Sequence, residues 1–223
     1  MCGRYLLKVP KREICHAFDF LEENLPVIQY GRYNIAPTQD VLCVIPGIDG
    51  KAEITTLRWG LIPSWAKEIS IGSKLINARS ETASEKPSFR EALKKRRCLV
   101  LADGFYEWKK VGAKKQPYYI FFRDNRLFAF AGLHETWRDP SGTEIRSCTI
   151  LTREANDFMK PLHDRMPVIL PSADSWKAWL DPKNPNPELL FAAVENEALD
   201  CFPVTTTVNN ARNETPDCIE RSA

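Results

Sequence analysis

The chain has 223 residues, 43% hydrophobic and 27% charged, with a formal net charge of +2. That apolar share can build a core, which excludes a wholly disordered, collagen-like or fibrous chain. No run reaches the roughly 18 uncharged apolar residues of a membrane span, and the N-terminus lacks the apolar stretch of a secretory signal. The expectation is one domain over residues 1–223, not secreted, in the cytoplasm or nucleoid of a bacterium or the nucleus of a eukaryote.

In chain order, an amphipathic N-terminal helix carries His16. Residues 41–45 and 53–59 read as strands joined by a turn at Pro46-Gly47-Ile48-Asp49-Gly50. Residues 88–97 read as a short helix with a basic outer face. Strands follow at 98–109, 118–122, 127–133 and 145–151, with turns at Asp124-Asn125 and Asp139-Pro140-Ser141-Gly142. Helices are expected at 155–162 and at 173–180, the second capped by Ser172. A loop at 182–187, a short helix at 188–195 and a closing strand at 201–208 complete the reading. Strands dispersed among short helices, without repeats or long linkers, predict an α+β fold. Its sheet would be mixed or antiparallel, partly closed like a barrel, with short helices around it.

Seven cysteines are scattered through the chain, with no CxxC pair and no zinc-type Cys/His spacing. Most are expected to be small core hydrophobes. Charge is unevenly spread: residues 86–115 hold ten Lys/Arg and three acids, leaving the remainder at −5. Such a basic segment suits a polyanion, and equally a solvated surface.

Cys2 is singled out by position. Removal of the initiator Met would leave an α-amine of pKa about 7.7–8.0 beside a thiol of pKa about 8.5. This 1,2-aminothiol can condense with an aldehyde to a Schiff base and close to a thiazolidine. An N-terminal amine can also act as base for its own side chain. An ordinary terminal cysteine is the alternative. Three polar clusters interrupt apolar sequence: Asn77-Ala-Arg79-Ser-Glu81, Asp103-Gly-Phe-Tyr-Glu107-Trp108 and His163-Asp164-Arg165-Met-Pro167. A Glu among aromatic residues tends toward a raised pKa suited to proton transfer, and Asp164 and Arg165 could orient His163. Helix capping, a salt bridge and turn closure are the corresponding structural alternatives. His134 lacks the H-x-E and P-C-x-x-C of a zinc deaminase.

Seven ordered segments carry a family resemblance. They are Met1-Cys-Gly-Arg-Tyr5, Gly31-Arg-Tyr-Asn-Ile-Ala-Pro-Thr38, Trp59-Gly-Leu-Ile-Pro-Ser-Trp65, Ile76-Asn-Ala-Arg-Ser-Glu81, Ala102-Asp-Gly-Phe-Tyr-Glu-Trp108, His163-Asp-Arg-Met-Pro167 and Pro203-Val-Thr-Thr-Thr-Val-Asn-Asn-Ala-Arg-Asn213. Together they resemble the SOS-response-associated peptidase family, which captures abasic sites in single-stranded DNA. The resemblance implies Cys2 as nucleophile toward the opened sugar aldehyde, with Asn77, Glu107 and His163 as the catalytic set. It implies Arg4, Arg79 and Arg165 as phosphate ligands, and Asn34, Pro37 and Trp65 as further DNA contacts. It also implies autoproteolytic removal of residues before Cys2, a monomer, no cofactor, no metal and no membrane. Where some members place paired tryptophans, this chain reads Trp65-Ala66. A conventional thiol hydrolase using Cys2, His163 and Glu107, or a non-covalent single-strand binder, are the competing readings.

Overall fold

The computed structural model describes residues 2–19, 25–47, 51–192 and 194–222. Among them no helix is long and apolar enough to cross a membrane. Strands dominate, because the apolar residues alternate or run in blocks of five or six that can be covered on both faces.

Five strands close a barrel. They are β3 (Asp40–Pro46), β4 (Ala52–Trp59), β6 (Arg97–Ala102), β9 (Phe128–Arg138) and β10 (Glu144–Glu154). Neighbours are antiparallel, except that β10 closes onto β4 in parallel through Ser147↔Arg58 and Cys148↔Trp59. Every residue of β6 is buried, since one face lines the barrel and the other lies under α2 (Arg90–Lys95) and α3 (Ala173–Leu180). Cys43, Cys98 and Cys148, from three different strands, meet inside the barrel. These three thiols therefore behave as the core hydrophobes expected of them. β5 (Asn77–Arg79) and β11 (Arg165–Pro167) both add to β10, and β12 (Ile169–Leu170) adds to β9.

A second, five-stranded sheet runs in the order β13-β8-β7-β1-β2, comprising Leu199–Pro203, Lys114–Phe122, Gly104–Val111, Tyr5–Leu7 and Arg32–Ile35 respectively. Tyr5 joins the two sheets, its ring packing edge-on against Trp59 and Phe130. A smaller core of Leu6, Tyr106, Tyr119, Val204, Val208 and Cys218 packs where the C-terminal segment covers this sheet.

The α+β class and the barrel-like sheet are as expected; several elements are not. The strand expected over 98–109 breaks at Asp103, where the chain leaves the barrel for the second sheet. The Asp103 carboxylate accepts from the backbone N–H of Lys8 (2.9 Å) and Val9 (2.8 Å), and its own N–H donates to Leu6 (3.1 Å). Gly104 follows because a Cβ there would lie 2.3 Å from the Tyr119 ring. The helix expected over 155–162 is a set of turns: Asn156 uses its side chain to cap Met159 N–H and to hold Val194, and Pro161 blocks extension. The helix over 188–195 reduces to a 3-10 turn, Pro187–Phe191. The closing strand stops at Pro203 and gives way to a 3-10 turn at Thr206–Asn209. The N-terminal helix is α1 (Lys11–Phe18), and Ser172 caps α3 with a reciprocal Ser175 partner. Ile48, Asp49 and Gly50 of the first expected turn lie outside the described residues.

Candidate active site at the seam between the sheets

Residues 2–4 lead into β1, which lies along β7 with Tyr5↔Phe105 and Leu6↔Gly104 in register. The pairing extends one step further, with Tyr106 N–H donating to the Arg4 carbonyl at 3.0 Å. This carries Cys2 toward Glu107. Cys2 is 0% exposed. Its Sγ lies 3.8 Å from the Arg4 carbonyl, and its own carbonyl accepts from Asn77 Nδ2 at 2.8 Å. Asn77 is placed by the parallel addition of β5 to β10, opposite Ile150. Strand alternation puts Arg79 on the same side of β5, where it is exposed.

Glu107 is 2% exposed, and burial pushes its carboxyl up to about 7. Burial also pushes the Cys2 thiol well up, and the neighbouring Glu107 adds to that effect. The sulfur is therefore held as a neutral thiol, and an acid–base group half-ionised near neutrality stands beside it. His163 sits in the loop before β11, half-buried, and desolvation lowers its pKa. Its Nδ1 faces the Arg165 N–H at 2.9 Å and the Asp164 carboxylate at 2.6 Å. In the neutral ring Nδ1 accepts from the backbone, which puts the proton on Nε2. In the imidazolium, Nδ1–H can donate to Asp164. Asp164 also raises the Glu107 pKa, and Lys115 of β8 lowers that of His163, so loop and hairpin flank the same site.

The residues expected to contact DNA fall into two groups. Trp65 is 59% exposed and Pro37 half-buried. The Trp65 loop is held from below: Trp137 Nε1 donates to the Ala66 carbonyl at 2.7 Å, and Ser147 Oγ accepts from Ile62 N–H at 2.8 Å. At its base the backbones of Gly60 and Gly72 cross, and a Cβ on either would lie 2.6 Å from the carbonyl oxygen of the other. Arg165, by contrast, already forms a two-pronged ion pair with Glu81 (2.6 and 2.8 Å) and donates to the Thr152 carbonyl (2.6 Å). Arg4 donates to Asn34 Oδ1 (2.7 Å) and the Val208 carbonyl (2.8 Å). Asn34 is 0% exposed, and its amide donates to the carbonyls of Val208, Asn210 and Asn213. In this structure Asn34, expected as a DNA contact, is an internal tie to the C-terminal segment.

Sequence reasoning passed over Glu81 as the partner of Arg165, although it stands in the Asn77–Glu81 motif. It also passed over Glu214, which directly follows the last motif and carries no local signal. A separate cavity of about 500 Å³ lies beside Leu7, Ile28, Tyr30 and Arg32. None of Cys2, Asn77, Glu107 or His163 lines it.

Comparison with known proteins identifies the family. The family model described as "SOS response associated peptidase (SRAP)" matches residues 1–211. The abasic site processing protein YoqW of Bacillus subtilis is 44% identical, over 99% of both chains. The abasic site processing protein HMCES of Xenopus tropicalis is 39% identical over 74% of this chain and 56% of its own length. A crystal structure of a Bacteroides thetaiotaomicron protein superposes with a TM-score of 0.87 at 25% identity, covering 100% of both chains. A phage-related protein from Bordetella bronchiseptica gives a TM-score of 0.71 at 31% identity, over 91% of this chain and 94% of its own. With a family match over nearly its whole length and curated relatives above 40% identity, the chain belongs to the SRAP family.

Proposed function

We propose that this protein captures abasic sites in single-stranded DNA by a thiazolidine bond to Cys2, exposed as the first residue once Met1 is removed. The observation that carries the reading is the burial of Cys2 between Asn77, which holds its carbonyl, and Glu107, whose pKa lies near neutrality. The relatives' names, abasic site processing protein, support the same substrate.

In this reading His163 gives a proton to the sugar ring oxygen while the C1′ hydroxyl releases its own to water, and the ring opens to the aldehyde. The Cys2 amine attacks C1′ and water leaves, forming a Schiff base. The thiol then adds to the same carbon and its proton passes to the former imine nitrogen, directly or through Glu107. The net change is loss of one water and no redox chemistry. Asn77 fixes the Cys2 backbone so that amine and sulfur reach one carbon. Arg79, Pro37 and Trp65 flank the strand, with stacking on the exposed indole. Lys109, Lys110, Lys114 and Lys115, on the β7–β8 hairpin that continues from Glu107, supply positive charge along its path. Arg165 would meet a phosphate by sharing or releasing Glu81. Removal of residues ahead of Cys2, by the protein itself or by an aminopeptidase, and action as a monomer belong to the same proposal.

The test uses purified protein and an abasic single-stranded oligonucleotide. The expected result is an adduct that survives denaturation, absent with Cys2→Ala and with an intact strand. Acetylation of the α-amine should abolish the adduct, whereas a conventional thiol hydrolase would tolerate it. Complexes that are wholly reversed by salt would leave only a non-covalent binding module.

A further inference from the structure

We infer that the C-terminal segment over residues 204–222 is a positioning device for Cys2, with Glu214 as its key residue. The inference rests on the capture chemistry proposed above and extends it to residues past the family match, which ends at 211.

The chain of contacts is short and directional. Arg4 is its hub. The Arg4 carbonyl accepts from Tyr106 N–H (3.0 Å) and faces the Cys2 thiol (3.8 Å), so its place sets the place of the nucleophile two residues away. The Arg4 side chain cannot shift freely, because it donates to Asn34 Oδ1 and the Val208 carbonyl and lies over the Trp108 ring at 5.9 Å. Asn34 is fixed in turn by three carbonyls of the C-terminal segment. Glu214 closes the arrangement from the other side. One carboxylate oxygen accepts from the backbone N–H groups of Tyr33 (3.2 Å) and Asn34 (3.1 Å), and the other pairs with Arg32. β2 is the edge strand beside β1. Its outer N–H groups would otherwise face solvent unpaired, and a single side chain replaces the missing strand. Val204, Val208 and Cys218 anchor the segment in the smaller core. Glu214 touches no reacting atom. It acts through Asn34 and Arg4, and a displacement of about 1 Å at a reacting centre is enough to cost about 100-fold in rate.

The experiment compares wild type with Glu214→Ala and Glu214→Gln. Single-turnover adduct formation is measured at saturating abasic oligonucleotide across pH 5–9. Non-covalent affinity is measured separately with each variant combined with Cys2→Ala, and folding is followed by Tm. The expected result for Glu214→Ala is a rate about 10- to 100-fold lower, an unchanged affinity and an altered pH–rate profile. Glu214→Gln keeps an oxygen acceptor for Tyr33 and Asn34 and should recover most of the rate. If Glu214→Ala does not fold, Asn213→Ala, which removes a side-chain bond to the Thr207 carbonyl inside the same segment, takes its place. Unchanged rates in the folded variants, or a rate loss that merely follows the unfolded fraction, would overturn the inference. Absence of any adduct in wild type would instead overturn the capture chemistry itself.

Discussion

The barrel interior and the seam beside it are buried to similar depth but are built from different chemistry. Inside the barrel, Phe130, Trp59, Val100 and three thiols pack closely enough that a Cβ on Gly132 would lie 2.8 Å from the Cys98 sulfur. At the seam, carboxylates, amides and a cysteine are buried instead: Asp103, Glu107, Asn34 and Cys2. Apolar burial drives folding, whereas a buried polar group costs free energy unless it is bonded. The contrast sharpens within the seam itself. Asp103, at the sheet crossing, has two backbone donors and Lys8 to offset its desolvation. Burial raises the pKa of both carboxyls, and that of Glu107, four residues on, reaches about 7. The first carboxylate ties the two sheets together, and the second has the pKa that the proposed proton transfer needs.

Glu107→Gln tests the comparison most severely. Loss of a general acid–base group typically lowers a rate by about 100- to 10,000-fold, so adduct formation at saturating oligonucleotide should fall on that scale. The same substitution should alter stability with opposite sign above neutrality. Because the folded pKa of Glu107 is raised from its ordinary value of 4.5 to about 7, the native state binds the extra proton. Its contribution is fully present below pH 4.5 and is lost as pH rises through 7, a swing on the order of 3 kcal/mol. Denaturant titrations should show a flatter stability profile between pH 4.5 and 7 in the variant. An unchanged slope would place the buried charge elsewhere.

Phe130→Ala probes the other region. It should destabilise the protein by about 3–5 kcal/mol, read from the denaturation midpoint. Retention of adduct formation by whatever fraction stays folded would show that the two regions are separable. Trp65→Ala should have the smallest effect. It weakens binding to single-stranded DNA by about 1–3 kcal/mol, while the maximal rate stays near that of wild type. Stability should move by no more than about 0.5 kcal/mol, since the indole is exposed.

Much of this was legible in the sequence, for identifiable reasons. Cys2, Asn77, Glu107 and His163 stand in short ordered motifs, and the strands of the barrel follow from block or alternating apolar patterns. The break at Asp103 was not legible, because the donors that capture its carboxylate come from residues 8 and 9, on the far side of the chain order. The expected helix at 155–162 failed for a local reason: Asn156 and Pro161 outweigh the apolar spacing. Arg4 and Asn34, expected as DNA contacts, also have internal partners among residues 208–213 that the motifs do not announce. Long-range carbonyl acceptors leave no trace in side-chain pattern, so a tie and a ligand look alike from sequence.

The crossing of Gly60 and Gly72 has a consequence for how this protein can diversify. With no room for a side chain at the neck, replacing either glycine would force the two backbones apart where the loop leaves the barrel. Substitutions at the exposed tip, where Trp65 stands, should cost far less stability than those at the buried Leu61 and Ile62 nearer the neck.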